Sequence, residues 1–307
     1  MLSLRALILS ALCATAALAR DVEPLIARPV TLPRGAVDAT LHGTYTNWAT
    51  GSVAGVTSTT LTGETLSFGL DFGASDRVQL GLATALPINP GAGFGSVLGS
   101  ALLAVGPDAA LRLDAGFERI GFNGDGTAAV PHTNRFFGGI GAPIKVAFSP
   151  TLAFVSGRSG AVHFGHFNNV GQRGTGLYVG ASGLTELASD FLVLSGGDRN
   201  SGTVLGINLP AGLLLQPDPS FALGLHAGFS TNVTFPASGS SAGTQVLFFL
   251  PVALEAVVSP VRALDLGVRF SLDGYFQQVG ASSGVVAGGP GFFDLREIML
   301  WFRVHAG

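Results

Sequence analysis

Leu264-Asp265-Leu266-Gly267-Val268-Arg269-Phe270-Ser271-Leu272-Asp273-Gly274-Tyr275-Phe276 decides how this chain folds. Its even positions are Leu264, Leu266, Val268, Phe270, Leu272, Gly274 and Phe276. Its odd positions are Asp265, Gly267, Arg269, Ser271, Asp273 and Tyr275, continued by Gln277. Successive side chains of a strand point to opposite faces, so the stretch has one apolar face and one small or polar face. A helix would align Asp265, Arg269 and Asp273, but it would scatter the apolar residues around its circumference. Gly267 and Gly274 weaken a helix further. The same period of two runs from Phe221 through Leu223, Leu225, Ala227, Phe229, Thr231 and Val233 to Phe235, opposite His226 and a set of Gly, Ser and Asn. It runs again through Phe136, Gly138, Ile140, Ala142, Ile144, Val146 and Phe148. Such runs outlast the usual strand of about 5–6 residues and suit a tilted membrane strand of about 9–11.

Composition agrees with a membrane environment. Of 307 residues 47% are hydrophobic and only 11% charged, with a mean hydropathy of +0.49. Soluble domains carry about 25% charged residues. The apolar content excludes disorder. A net charge of −3 and a pI near 6.0 leave no electrostatic footprint for nucleic acid. Beyond the N-terminus no stretch offers about 18 apolar residues in succession, as a spanning helix needs; in the nearest, 246–258, Pro251 and Glu255 interrupt. Arg5, the apolar run Leu7 to Leu12 and the small-x-small triplet Ala17-Leu18-Ala19 predict an export signal over 1–19, cleaved after Ala19. Cys13, the one cysteine, falls inside it, and Leu12 before it argues against lipidation. The exported chain then has no disulfide and no thiolate metal site.

Six short turn signals recur: Ala74-Ser75-Asp76, Gly106-Pro107-Asp108, Ser149-Pro150-Thr151, Ala188-Ser189-Asp190, Pro217-Asp218-Pro219 and Ser259-Pro260-Val261. Pro, Asp and Ser favour tight turns by fixing φ or by bonding their own backbone. Longer Gly/Ser/Asn-rich loops lie at about 50–63, 87–96, 123–134, 168–174, 197–202, 236–243 and 278–291. Seven loops alternating with six turns predict an antiparallel up-and-down β-barrel of about 14 strands over 38–307, or 12 if the weak strands near 97–105 and 191–196 fail. Residues 20–37 precede it as a periplasmic segment able to plug the lumen. Lipid offers no hydrogen-bond partners, so the sheet must close on itself. Pro143, Pro210 and Pro251 each remove a ladder donor inside a strand.

Over about 38–304 the chain resembles Gram-negative outer-membrane β-barrel proteins. The final alternation Ile298, Leu300, Phe302, Val304 looks like the assembly signal of that class, and Arg28-Pro29 to Leu32-Pro33 looks like the lead-in before some first strands. The resemblance implies a bacterial outer-membrane location, contact with membrane lipid and lipopolysaccharide, and handling by the barrel-assembly machinery. Barrels near this strand number include monomeric porins and the fatty-acid transporter class.

The predicted inward, pore-lining residues are Asp71, Arg112, Asp114, Glu118, Lys145, His226, Glu255, Asp265, Arg269 and Asp273, with Gln79, Tyr275 and Gln277 among them. Both signs of charge occur among small residues, which predicts passive or facilitated passage of small solutes through the lumen. The alternative is a closed structural barrel whose loops dock envelope proteins. No cofactor and no metal are called for. An outer-membrane enzyme would need a nucleophile and a carboxylate beside a histidine, and His42, His132, His163, His166 and His226 show no such neighbours. Gly121-x-x-Gly124-Asp125-Gly126 lacks the context of a phosphate loop. Asp125, Asp198 and Asn200 read as turn chemistry rather than Ca²⁺ ligands, and Asn232-Val233-Thr234 as a strand rather than a glycan acceptor.

Overall fold

The computed structural model describes residues 22–49, 60–89, 95–120, 133–157, 170–173, 176–179, 191–197, 203–235, 244–279 and 295–307. The first half of the chain forms β1 (Val37–Ala49), β2 (Thr60–Ser75), β3 (Val78–Asn89), β4 (Ser96–Gly106), β5 (Ala109–Ile120), β6 (Thr133–Gly141), β7 (Ile144–Ser149) and β8 (Leu152–Ser156). The second half forms β9 (Val170–Arg173), β10 (Gly176–Val179), β11 (Leu192–Gly197), β12 (Thr203–Asp218), β13 (Phe221–Phe235), β14 (Gln245–Val261), β15 (Leu264–Val279) and β16 (Leu295–Ala306). Among the described residues β9 and β10 pair with each other and with no other strand. The remaining segments form one antiparallel sheet, which the pairing of β1 with β16 closes.

The wall has twelve strand positions, the lower of the two counts the sequence allowed. β6 and β7 are one strand interrupted at Ala142-Pro143, because both continue the same register on β5. β8 and β11 also share one position, between β6/β7 and β12. Ser156 faces Ile144 and Leu192 faces Ile140. An unbroken strand would cover that step in four residues, whereas the chain takes thirty-six. The chain therefore leaves the wall after β8 and returns in phase after an excursion of thirty-two extra residues. This is why the two strands expected across 175–196 add no pair to the barrel. The expected turn Ala188-Ser189-Asp190 lies outside the described residues.

The turns expected at 106–108 and 149–151 sit where the spacing placed them; the other three lie one to three residues further along, at Asp76-Arg77, Pro219-Ser220 and Arg262-Ala263. Ser75 Oγ accepts from the N–H of Arg77 and Val78 at 3.3 and 3.1 Å. Ser149 Oγ accepts from Thr151 N–H at 3.2 Å, and Asp218 Oδ1 from Ser220 N–H at 2.8 Å. Each tight turn is preceded by a register irregularity on its incoming strand, at Gly73/Ser75, Ala104/Gly106, Ala147/Ser149, Leu215/Asp218 and Val258/Val261. Bulges of this kind raise the local twist where a strand must turn back.

Pro143, Pro210 and Pro251 share one level of the wall. Pro210 faces Gly228 on β13, and Gly228 lies opposite Pro251, at a rung missing from the β13–β14 ladder. In the other direction the register carries Pro210 to Gly157 and Gly157 to Pro143. A Cβ on Gly157, whose φ is +72°, would lie 3.0 Å from the Cα of Pro143. The N–H groups of Asn208 and Gln216 bond to Phe191 and Thr151 on the interrupted strand. Pro210, an even number of residues from both, aims its missing donor the same way, at the place where that strand leaves the wall. Its carbonyl accepts instead from Ser156 Oγ at 2.5 Å.

Leu80, Leu82, Leu113, Leu209, Leu225, Leu254, Leu266, Phe270, Leu300 and Phe302 stand exposed on the outer face. Their neighbours in sequence point inward and are mostly buried, several of them charged. Ordinary soluble sheets have the reverse arrangement. An apolar exterior around a polar interior is the pattern of a barrel in lipid.

Candidate functional site

The lumen is built from the inward half of each alternation. At its tight-turn end it holds the segment 22–36, which leads into β1. Pro24 accepts from the N–H groups of Ala27 and Arg28 at 2.9 and 3.2 Å, so the segment begins as a compact turn. It ends at Gly35 (φ +80°), whose N–H bonds to the Gly73 carbonyl at 2.7 Å; Gly73 returns a bond to the Ala36 carbonyl at 2.9 Å. Gly73 has no room for a Cβ, which would fall on the backbone of Pro33.

Between these ends the segment touches the wall all round. Leu25 and Ile26 pack with Ala153 and Val155 on β8, Leu214 on β12, Ala222 on β13, Val257 on β14, and Met299 and Trp301 on β16. Ile26 N–H donates to Gln216 Oε1 at 3.0 Å, and Leu32 N–H donates to Gln79 Oε1 at 2.9 Å. Lys145 Nζ donates to the carbonyls of Arg28 and Leu25.

Arg28 carries the strongest contact. Its Nη1 and Nη2 donate to the two carboxylate oxygens of Asp265 at 2.5 and 3.0 Å. Asp265 is fully buried and also accepts from Ser259 Oγ at 2.6 Å. His305 bridges Asp265 and Asp38, with Nε2 and Nδ1 each 2.7 Å from a carboxylate oxygen. Arg303 Nη1 lies 4.0 Å from Asp38. A buried carboxylate is tolerated only when its lone pairs are filled, and here charged partners fill them.

A second cluster lies deeper. Glu255 Oε1 accepts from Trp301 Nε1 at 2.8 Å, and Oε2 stands 3.1 Å from His226 Nε2. Arg269 faces Glu255 directly across β14 and β15. The guanidinium of Arg303 lies 5.6 Å from the centre of the Trp301 ring. Gly224 and Gly267 leave the space that the rings of His226 and Trp301 occupy. On the opposite wall Arg112 and Asp114 pair at 2.5 and 2.8 Å. Above them Phe137 covers Gly116 and packs on Leu98.

Of the residues the sequence singled out, Asp71, Gln79, Arg112, Asp114, Lys145, His226, Glu255, Asp265 and Arg269 all lie on the inner face. Glu118 and Asp273 occupy strand positions opposite Ser96 and Pro251; their side chains lie outside the described residues, as do those of Tyr275 and Gln277. His42 is buried on the inner face. His132, His163, His166, Asp125, Asp198 and Asn200 lie outside the described residues. Arg28, Asp38, Glu297, Trp301, Arg303 and His305 were missed. A signal for four of these was present, since Glu297, Trp301, Arg303 and His305 are the odd partners of the final apolar alternation.

The chain shares its fold with an outer-membrane channel. That protein, from Pseudomonas putida F1, superposes with a TM-score of 0.52 at 11% identity, over 90% of this chain and 97% of its own. The NanC porin matches at a TM-score of 0.44 and 6% identity, over 87% of this chain and 98% of its own. LpxR from Salmonella typhimurium matches at 0.44 and 10% identity, over 86% and 99%. No protein-family model matches the chain, and no curated protein matches its sequence.

Proposed function

We propose that this protein is an outer-membrane β-barrel channel that passes small solutes through its lumen. The observation that carries the reading is the inversion of the wall: a closed twelve-position barrel, apolar outside, with charged and small residues inside. The outer face meets lipid, and residues 1–19 serve as the export signal. A wall of twelve strands about 4.8 Å apart, tilted about 40°, measures about 24 Å between opposite backbones. That is enough for a water path between inward side chains. Inner charges of both signs, such as Arg269 opposite Glu255 and Arg112 beside Asp114, give a lumen suited to small polar solutes of either sign. Liposomes carrying the purified protein are expected to swell in sugars of graded size, with a cut-off at a few hundred daltons, and to swell faster when the protein lacks residues 22–34. If neither form makes liposomes more permeable than protein-free ones, with each barrel verified as folded by its heat-dependent mobility on gels, the reading is overturned.

The segment filling the tight-turn end favours a second reading, a closed barrel that presents its loops to envelope proteins. The same swelling experiment separates the two.

A further inference from the structure

We propose that residues 22–34 form a built-in plug, hinged at Gly35 and latched by Arg28 on Asp265, whose release opens the tight-turn end of the lumen. The proposal rests on the channel reading above.

Three observations carry it. The first is coverage. The segment is bonded to Gly73 on β2, Gln79 on β3, Lys145 on β7, Gln216 on β12 and Asp265 on β15. In the order of the wall these strands stand around the whole circumference. A chain held from all sides crosses the lumen, and its Leu25 and Val30 are almost wholly buried there.

The second is independence from the wall. β1 pairs with β16 along its length, so the barrel closes without the segment. Pro24, Pro29 and Pro33 deny it the donors of a continuous strand. Among the described residues its backbone bonds to the backbone of the wall at its base, where Gly35 and Ala36 meet Gly73. Elsewhere it is held by side chains, whose release leaves the sheet intact. Gly35, in the left-handed region, is the natural pivot.

The third is the latch. Arg28 binds Asp265 through both guanidinium Nη atoms, a bidentate pairing of two oppositely charged side chains, and its Nη1 also lies 3.2 Å from His305 Nε2. Asp265 is further oriented by Ser259 and His305, and Asp38 holds His305 from the other side. A guanidinium seated on a pre-positioned carboxylate gives a specific attachment. The neighbouring apolar contacts of Leu25 and Ile26 have no comparable directionality.

The test is current through planar bilayers containing the protein purified from outer membranes. Arg28→Ala is expected to raise the open-channel current at least tenfold over the native protein, and Arg28→Lys to raise it less. Adding Ile26→Cys and Gln216→Cys to Arg28→Ala should return the current to the native level when oxidised, and reductant should restore it. The same cysteine pair in the Arg28→Lys protein, whose current should likewise fall on oxidation and rise with reductant, keeps the test valid if Arg28→Ala yields little folded protein. Equal currents from the native, Arg28→Ala and oxidised proteins would overturn the plug and leave the channel reading standing. If no form conducts, including one lacking 22–34, while each migrates as a heat-resistant barrel, the channel reading itself falls and the plug with it.

Discussion

At the scale of single residues, the inner face depends on what is absent as much as on what is present. Gly267 and Gly224 carry no Cβ, and those vacancies hold the rings of Trp301 and His226. Both rings close on Glu255, one through a 2.8 Å bond and the other at 3.1 Å. Filling the vacancy should therefore break a polar cluster. Gly267→Val would drive a branched side chain into the indole, off the axis that brings Nε1 to Glu255. Overpacking costs about 1–3 kcal/mol, and a buried carboxylate deprived of a donor costs a similar amount. The expected outcome is a lower urea midpoint and a shifted Trp fluorescence maximum. Gly274→Val, on the outer alternation of the same strand, should leave the fluorescence maximum unchanged. An unchanged midpoint in Gly267→Val would refute the packing assigned to this pair.

At the scale of strands, the alternation of 264–276 was legible because an apolar face and a polar face each recur without a break. The tight turns were legible because Ser75, Ser149 and Asp218 act through their own side-chain bonds. The interrupted strand was not legible. Short alternating runs such as 152–156 and 191–197 show which face is apolar, but nothing in a period of two tells whether two runs lie side by side or end to end. The prolines were visible as missing donors; their common level across the wall depends on register between strands, which local pattern does not encode. Of the latch, Asp265 was legible from its own alternation. Arg28 and Asp38 were hidden, one in a segment without periodicity and the other at the second residue of β1. The phase of the excursion after β8 makes a sharp prediction. Its thirty-two residues are an even number, so removing them preserves the face of every residue in β11. Deleting 158–189, with Asp190→Leu because the deletion brings position 190 onto the outer face, should still give a barrel of native heat resistance on gels. Deleting 158–190 instead inverts β11, turns Leu192 and Leu194 inward, and should abolish that band. Equal behaviour of the two deletions would contradict the end-to-end placement of β8 and β11.

At the scale of the whole molecule, the wall and its contents have separate sources of stability. The wall is held by a closed ladder and by lipid against its leucines and phenylalanines. The contents are held by charged and polar groups that satisfy one another inside. This division explains how a chain with 11% charged residues places so many of them in its interior. It also lets the segment 22–36 be part of the lumen without being part of the sheet. One face of every wall strand meets water and the other meets lipid, and chemical access to cysteine tests this division. Thr44→Cys and Ser100→Cys place a thiol on the inner face, and Leu82→Cys and Leu266→Cys place one on the outer face. In outer-membrane vesicles a small, charged, membrane-impermeant thiol reagent should label the inner pair and leave the outer pair unlabelled. Labelling at 82 and 266 with silence at 44 and 100 would contradict the account.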